Sequence, residues 1–162
     1  MPVAQLEDEF IFLGNNRCRV LVPERKTEGR YTLMELTTPP GGGGNSLHTD
    51  PFLEAFYALD DGLEFFVERD GRLESIRLKP GEIVNVGHDV KHRFTCVADR
   101  PARALVTGLG SFERFFRALA VAWEGPWDAA RTPAAVGPVF QQFGVQFHDS
   151  EANASLGAES TR

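Results

Sequence analysis

The sequence predicts an all-β protein whose strands form a closed or nearly closed antiparallel barrel, with one or two C-terminal helices packed outside it. From Phe10 to Leu109, short apolar segments alternate with turn residues, and no helical pattern separates them. That pattern is typical of a sandwich or barrel and excludes βαβ units. After Ser111 the apolar residues recur with the period of a helix. Closure into a barrel is expected because it removes exposed sheet edges.

Nine strands are predicted from the apolar segments and the turns between them. Asp61-Gly62 and Asp70-Gly71 predict tight hairpin turns, because these residue types tolerate positive φ. The predicted strands are residues 10–13, 17–22, 31–36, 56–59, 63–68, 73–78, 83–86, 92–96 and 103–107.

A helix is predicted after the last strand, with Ser111 as its N-cap, Glu113 in its first turn and its end at Gly125-Pro126. One face of this helix is apolar and consists of Phe112, Phe115, Phe116, Leu119 and Trp123. We interpret that face as packing against the outside of the barrel rather than as a binding surface. A weaker second helix is predicted at about 138–143.

The composition fits one ordinary domain. The chain has 162 residues, of which 42% are hydrophobic and 25% are charged, enough for a single core. We expect one domain over residues 1–148, with the barrel at about 10–109 and the helical part at about 111–148. The small, polar residues 149–162 predict a flexible tail.

Charge and sequence patterning exclude several classes of partner. The net charge is −6 without a Lys/Arg-rich run, which argues against nucleic acid. The chain shows neither an apolar signal segment nor a stretch of membrane-spanning length, so we expect a cytoplasmic protein without a membrane partner. Cys18 and Cys96 lack CxxC spacing and are expected to be buried free thiols.

Candidate metal ligands lie in two short stretches of the sequence. His48 and Asp50 are two residues apart and would share one face of a strand, while Glu54 lies in the next segment and His92 in a later one. If those faces line the barrel, two imidazoles and one or two carboxylates converge, a set that suits Fe(II), Mn(II), Ni(II) or Zn(II). The alternative is that each histidine is a hydrogen-bonded structural residue.

Other residues are assigned to the surroundings of that site. His88 is expected in a loop at the barrel mouth, and the glycine-rich run at 39–44 is expected to form a flexible loop. Four residues are candidates for pocket walls, although core packing explains each of them equally well: Met34, Phe56, Phe65 and Phe94.

The two histidine-containing stretches resemble the two motifs of the cupin superfamily. The first motif has a histidine, then a glutamate and a closing glycine, and the second has a glycine about ten residues before a histidine. These positions are occupied by His48, Glu54, Gly62, Gly81 and His92. The resemblance extends over about residues 32–108, and the helical part is similar to the tails of small bacterial cupins that resemble quercetin dioxygenase.

The resemblance implies a cupin-type barrel, also called a double-stranded β-helix or jelly-roll. It implies a divalent metal ion held by His48, Asp50, Glu54 and His92, with Glu54 able to take a proton from the substrate. It also implies a homodimer, because cupins commonly lend an N-terminal strand, here residues 10–13, to a neighbour's sheet edge.

The chain departs from the cupin pattern at two positions. Asp50 stands where the family has its second histidine, and Gly87 replaces a common proline. Asp50 is therefore expected either to be a metal ligand or to belong to a vestigial site, where it would bond a loop or pair with Arg93.

Three functions are compatible with these residues. The first is a metal-dependent oxygenase or related oxidoreductase that acts on a small organic molecule. The second is a non-catalytic module that binds or senses a small molecule, with a vestigial or absent metal site. The third, isomerase or lyase chemistry on an oxidised sugar, ranks last because no inward-facing Lys/Arg cluster is recognised.

Overall fold

The computed structural model describes residues 9–13, 15–43, 46–125, 128 and 130–148. The strands are β1 (Glu9–Phe12), β2 (Asn16–Val22), β3 (Tyr31–Thr38), β4 (His48–Thr49), β5 (Glu54–Ala58), β6 (Leu63–Arg69), β7 (Arg72–Arg77), β8 (Ile83–Val86), β9 (His92–Cys96), β10 (Ala102–Leu109) and β11 (Gln146–Phe147). The helices are α1 (Phe112–Ala122) and α2 (Thr132–Phe143), and a short 3-10 turn occupies Glu24–Lys26.

The strands form two antiparallel sheets. One sheet has the order β1-β2-β3-β10-β5-β8 and the other has the order β11-β4-β9-β6-β7. Consecutive strands repeatedly lie in different sheets, as in a jelly-roll. The predicted all-β fold with two C-terminal helices is therefore confirmed, and its two sheets face each other across a shared interior.

The core lies between the sheets because alternate side chains of each strand point inward. Along β3, Thr32, Met34, Leu36 and Thr38 are buried while their neighbours are partly or fully exposed. Ring contacts join the sheets, since the centroid of Phe56 on β5 lies 4.9 Å from that of Phe65 on β6.

Most predicted strands are confirmed within two residues of their bounds, and β8 and β9 have the predicted limits. The turn between β6 and β7 has positive φ at Asp70 and Gly71, at 50° and 74°, which suits a tight hairpin. The two-residue strands β4 and β11 were not predicted, because so short a segment has no readable alternation.

The helices depart from their predicted limits. Helix α1 ends at Ala122, before Gly125, and Ser111 precedes it without a side-chain cap hydrogen bond. Helix α2 begins at Thr132, six residues before the predicted start, and contains Pro138 in its interior. Pro138 was taken as a helix start, which proline favours, but here the helix continues through it. Gly144 ends α2 with a φ of 75°, the left-handed conformation typical of a C-cap.

Glu113 links α1 to the barrel through hydrogen bonds. Its carboxylate is buried and accepts hydrogen bonds from the Glu24 backbone N–H at 2.6 Å and from the Thr32 hydroxyl at 3.2 Å. Arg117, one turn later, donates to the same carboxylate at 2.8 Å. The position of α1 over the barrel is therefore fixed by polar contacts as well as by its aromatic face.

Cys18 and Cys96 are buried and free, as expected. The predicted flexible tail at 149–162 lies outside the described residues, as does the N-terminal segment 1–8. Among the residues that the structure describes, no helix is long and apolar enough to cross a membrane.

Candidate metal centre

Strand pairing brings the two candidate histidines together. His48 on β4 pairs directly with His92 on β9, and the centroids of their rings lie 4.3 Å apart. Asp50 follows the end of β4, and Glu54 begins β5. His48, Asp50 and His92, three of the four residues that the sequence singled out, thus approach one another, and Glu54 lies next to His92.

The reactive atoms of these side chains converge. Asp50 Oδ2 lies 3.7 Å from His48 Nε2 and 3.6 Å from His92 Nε2. Glu54 Oε2 lies 3.7 Å from His92 Nε2. Ligands about 2.1 Å from one ion at tetrahedral angles would lie ~3.4 Å from each other. Among the described residues, His48, Asp50 and His92 form a group of this kind, with one ligand atom of each within 4.8 Å of the others, and Glu54 lies beside His92 outside that group.

Both histidines are oriented by the backbone. His48 Nδ1 lies 2.8 Å from the carbonyl oxygen of Ser46, and His92 Nδ1 lies 2.8 Å from that of Val90. A carbonyl accepts only from a protonated nitrogen, so in the neutral tautomer each Nε2 keeps its lone pair. Metal-binding histidines in proteins are usually held in this way. The sequence analysis missed Ser46 and Val90, whose shared signal is their place two residues before a histidine.

Burial shapes the electrostatics of the cluster. Asp50 is 2% exposed, Glu54 5% and His92 2%. Burial raises the pKa of Asp50, and burial together with the nearby Asp50 carboxylate raises the pKa of Glu54 well above its usual range. Burial also lowers the pKa of His92. Burial therefore disfavours the charged forms of all three side chains.

Asp50 is held in a turn and not by an arginine. Its Oδ1 accepts a hydrogen bond from the Phe52 backbone N–H at 3.0 Å, and its carbonyl accepts one from Asp89 at 2.8 Å. The guanidinium of Arg93 lies 3.9 Å from the ring centroid of Phe66. The loop contact expected for a vestigial site is thus present, while Arg93 makes its contact elsewhere.

A cavity of about 360 Å³ opens on this cluster. The predicted wall residues Phe56 and Phe94 line it, whereas Met34 and Phe65 belong to the core around it. The described residues along its walls are Phe12, Leu13, Pro40, Gly41, Gly42, Gly43, Ser46, His48, Asp50, Glu54, Phe56, His92, Phe94, Phe115, Phe116, Leu119, Phe140, Val145 and Phe147.

The apolar face of α1 does more than pack on the barrel. Phe115, Phe116 and Leu119 line the cavity, so interpreting that face as outside packing alone was wrong. Amphipathicity shows that one helix face is buried but not what it covers. Here the helix forms part of the wall of the cavity that contains the metal candidates.

The glycine-rich loop is tied to strand β9. Gly41 N–H donates to the Cys96 carbonyl at 2.9 Å, and Cys96 N–H donates to the Gly42 carbonyl at 3.0 Å. A Cβ at Gly43, where φ is 129°, would lie 2.5 Å from the Phe94 carbonyl oxygen. Residues 41–43 thus form a wall of the cavity in close contact with β9, and residue 44 of the predicted flexible loop lies outside the described residues.

Strand β11 lies next to the strand that carries His48. It pairs with β4, so that Phe147 lies opposite His48 with ring centroids 6.3 Å apart. His148 Nε2 lies 3.1 Å from the Thr49 hydroxyl. His88 is exposed, as expected for a loop residue, and its Nδ1 lies 2.6 Å from the Pro51 carbonyl.

Comparison with known proteins gives one sequence relative and several structural ones. No family model matches the chain. The chain is 24% identical over 119 residues to the quercetin 2,3-dioxygenase of Bacillus subtilis, a match that covers 74% of this chain and 34% of the dioxygenase. The chain thus spans about one third of that relative's length.

Solved structures are similar over about two thirds of the chain. A polyketide cyclase from Streptomyces resistomycificus matches 67% of this chain and 78% of its own, with a TM-score of 0.53 and 22% identity. A predicted oxalate decarboxylase from Thermotoga maritima matches 68% and 99%, with a TM-score of 0.55 and 14% identity. At these identities the likeness shows the fold alone.

Proposed function

We propose that this chain is a cupin-superfamily protein that resembles quercetin dioxygenase-like proteins, and that it is a metal-dependent oxygenase or related oxidoreductase acting on a small organic molecule. The ion is held by His48, Asp50, Glu54 and His92. Its identity is one of Fe, Mn, Ni and Zn, which imidazole and carboxylate ligands suit.

One observation supports this proposal above all others. Both histidines donate Nδ1–H to a backbone carbonyl and turn Nε2 toward the same carboxylate, at 3.7 and 3.6 Å. These separations are longer than direct hydrogen bonds and are of the size expected between ligands of one shared ion. A cation between the two Nε2 atoms and the Asp50 carboxylate would therefore be within reach of all three.

The residues around that ion are proposed to have different roles in the reaction. When bound, any of these ions would supply open coordination positions, and Fe, Mn or Ni, unlike redox-inactive Zn, would also supply electron transfer. Phe56 and Phe94 keep the adjoining space dry, which strengthens charge interactions there. Glu54, buried beside Asp50 with a raised pKa, is proposed to exchange a proton with the substrate.

The proposal is tested by elemental analysis of protein purified without chelator. We expect about one divalent ion per chain, lost in His48→Ala and in His92→Ala while circular dichroism stays unchanged. His88→Ala is the matched control, because His88 is exposed and bonded to Pro51. Equal metal content in the double variant and the parent would refute the site. Metal without oxygen consumption would instead favour the non-catalytic binding module.

We also propose that the protein is a cytoplasmic homodimer. Strand β1 pairs with β2 of the same chain and forms the edge of its sheet, so its second edge offers backbone groups to a copy of itself. Two-fold assembly is the commonest form of soluble oligomer. Static light scattering at micromolar concentration should give twice the 17.9 kDa chain mass, and a monomer mass would contradict the proposal.

A further inference from the structure

We propose that the cavity selects a neutral, largely apolar molecule of about two rings and discriminates against small carboxylates. This inference rests on the proposed function, because it assigns the substrate class of the same site. It depends on the charges, the size and the walls of the cavity.

The walls of the cavity provide no cation for an anionic substrate. None of the described residues that line it is a lysine or an arginine. Its ionisable groups are the four metal candidates, two of which are carboxyls, and the remaining walls are mostly phenylalanine. A carboxylate entering this space would lose its hydration without gaining a partner, which is costly.

The metal end would not compensate for that cost. The carboxylates of Asp50 and Glu54 together match the charge of a divalent ion held between them. Such an ion would present little net positive charge to an incoming anion, unlike an ion held by neutral imidazoles alone. A neutral oxygen or nitrogen on the ligand could still occupy an open coordination position.

The size of the cavity indicates the size of the ligand. A dry apolar cavity of about 150 Å³ accommodates benzene. The space here is about 360 Å³, which has room for two fused or linked rings. Aromatic side chains surround it from both ends, with Phe56 and Phe94 inside the barrel and Phe115 and Phe116 on α1.

Phe116 and Phe147 are placed to determine what enters. The Phe116 ring lies 4.7 Å from that of Phe12 and faces the cavity from α1. Phe147 is 45% exposed at the rim, and its ring centroid lies 6.3 Å from that of His48. A cation placed at the rim should admit anions, whereas a larger ring at Phe116 should narrow the space for any ligand.

The test compares two probes with the same ring system, 2-naphthol, which is neutral at pH 7, and 2-naphthoate, which is an anion. Calorimetric titrations use the full chain, both chelator-treated and loaded with Zn²⁺. We expect 2-naphthol to bind at least ~tenfold more tightly than 2-naphthoate in both forms of the protein. The carboxylate of 2-naphthoate would lose its hydration in the cavity without a cationic side chain to pair with.

Two variants and a control locate the selectivity. In Phe147→Arg, 2-naphthol should bind no more than about threefold more tightly than 2-naphthoate, because a guanidinium at the rim of the cavity can pair with the carboxylate of 2-naphthoate. Phe116→Trp should weaken 2-naphthol binding severalfold with Zn²⁺ binding intact. Val121→Arg adds the same charge to the solvent side of α1, where Val121 is 89% exposed, and should leave the preference unchanged.

The outcomes separate this inference from the proposed function. Equal or tighter binding of 2-naphthoate overturns the inference, even if the protein holds its metal. The inference is also overturned if Val121→Arg shifts the preference as much as Phe147→Arg. A preserved preference for 2-naphthol in protein that retains no metal would support the inference and refute the proposed function.

Discussion

Replacing Asp50 by asparagine should change metal affinity and metal-free stability in opposite directions. Asparagine keeps the shape of the side chain and can still accept the Phe52 N–H hydrogen bond, which is 3.0 Å long in the parent. It removes the negative charge that lies 3.7 and 3.6 Å from the two Nε2 atoms. The variant thus isolates the charge of Asp50 from its role in the turn.

The size of the effect on metal affinity follows from the position of the carboxylate. Removing a group that merely supports a metal ligand typically weakens binding 10–100-fold, about 1.4–2.7 kcal/mol. A carboxylate aimed between both imidazoles should contribute at least as much. We therefore expect the dissociation constant of Asp50→Asn to rise by at least ~tenfold.

The effect on metal-free stability has the opposite sign. Burial raises the pKa of Asp50 from its ordinary value of 3.8, so the ionised form is less favourable in the folded chain than in the unfolded one. This cost is absent well below pH 3.8 and grows as the pH rises above it. In chelator-treated protein, Asp50→Asn should therefore raise or preserve the melting temperature near pH 7, with the gain disappearing in acid.

Both quantities can be measured on the same samples. Competition with a chromophoric chelator gives metal affinity, and thermal unfolding followed by circular dichroism gives stability. Asp89→Asn is the matched control, because Asp89 is exposed, its side chain acts on Asp50 through its charge, and its backbone hydrogen bond to the Asp50 carbonyl is kept in the variant. A lower metal-free melting temperature with unchanged metal affinity in Asp50→Asn would refute the ligand assignment.

Two further predictions concern buried glutamates. Metal binding near pH 7 should release more protons from the parent than from Glu54→Gln, because burial and a neighbouring carboxyl group raise the pKa of Glu54. Calorimetry in buffers of different ionisation enthalpy measures this release, and equal release would exclude Glu54 as a ligand. Glu113→Ala should destabilise the fold by about 2–3 kcal/mol in urea unfolding, since it removes the buried carboxylate that accepts hydrogen bonds from the Glu24 backbone N–H, the Thr32 hydroxyl and Arg117. Arg114→Ala on the same turn, where Arg114 is 66% exposed, should cost under about 1 kcal/mol, and similar losses in both variants would contradict the role of Glu113.

The strands could be predicted from the sequence because their signals are local. Alternation and turn residues lie within each hairpin, as at Asp70-Gly71, so β8 and β9 were predicted with their observed limits. The four candidate ligands were also recognisable, because their residue types and spacing resemble the cupin motifs. The two-residue strands β4 and β11 gave no such signal, since they exist only through pairing with distant parts of the chain.

The surroundings of the site could not be predicted for the same reason. Only pairing between distant strands places His48 beside His92, and no sequence period encodes that register. The helix face with Phe115 and Phe116 was recognised as buried, but amphipathicity does not identify its partner. The second helix was predicted too short because Pro138 was treated as a boundary, whereas the helix runs through it.

The backbone conformation at Asp50 determines whether the carboxylate of an aspartate can take the place of the family's histidine as a metal ligand. A carboxylate reaches less far than an imidazole, so an aspartate held on a regular strand would fall short of a common ion. Strand β4 ends at Thr49, however, and Asp50 lies in a turn fixed by hydrogen bonds to Phe52 and Asp89. The turn places Oδ2 at nearly equal distances from both Nε2 atoms. The turn therefore explains how a side chain shorter than histidine can lie within reach of an ion between the two imidazoles, which supports the proposal that Asp50 binds the ion.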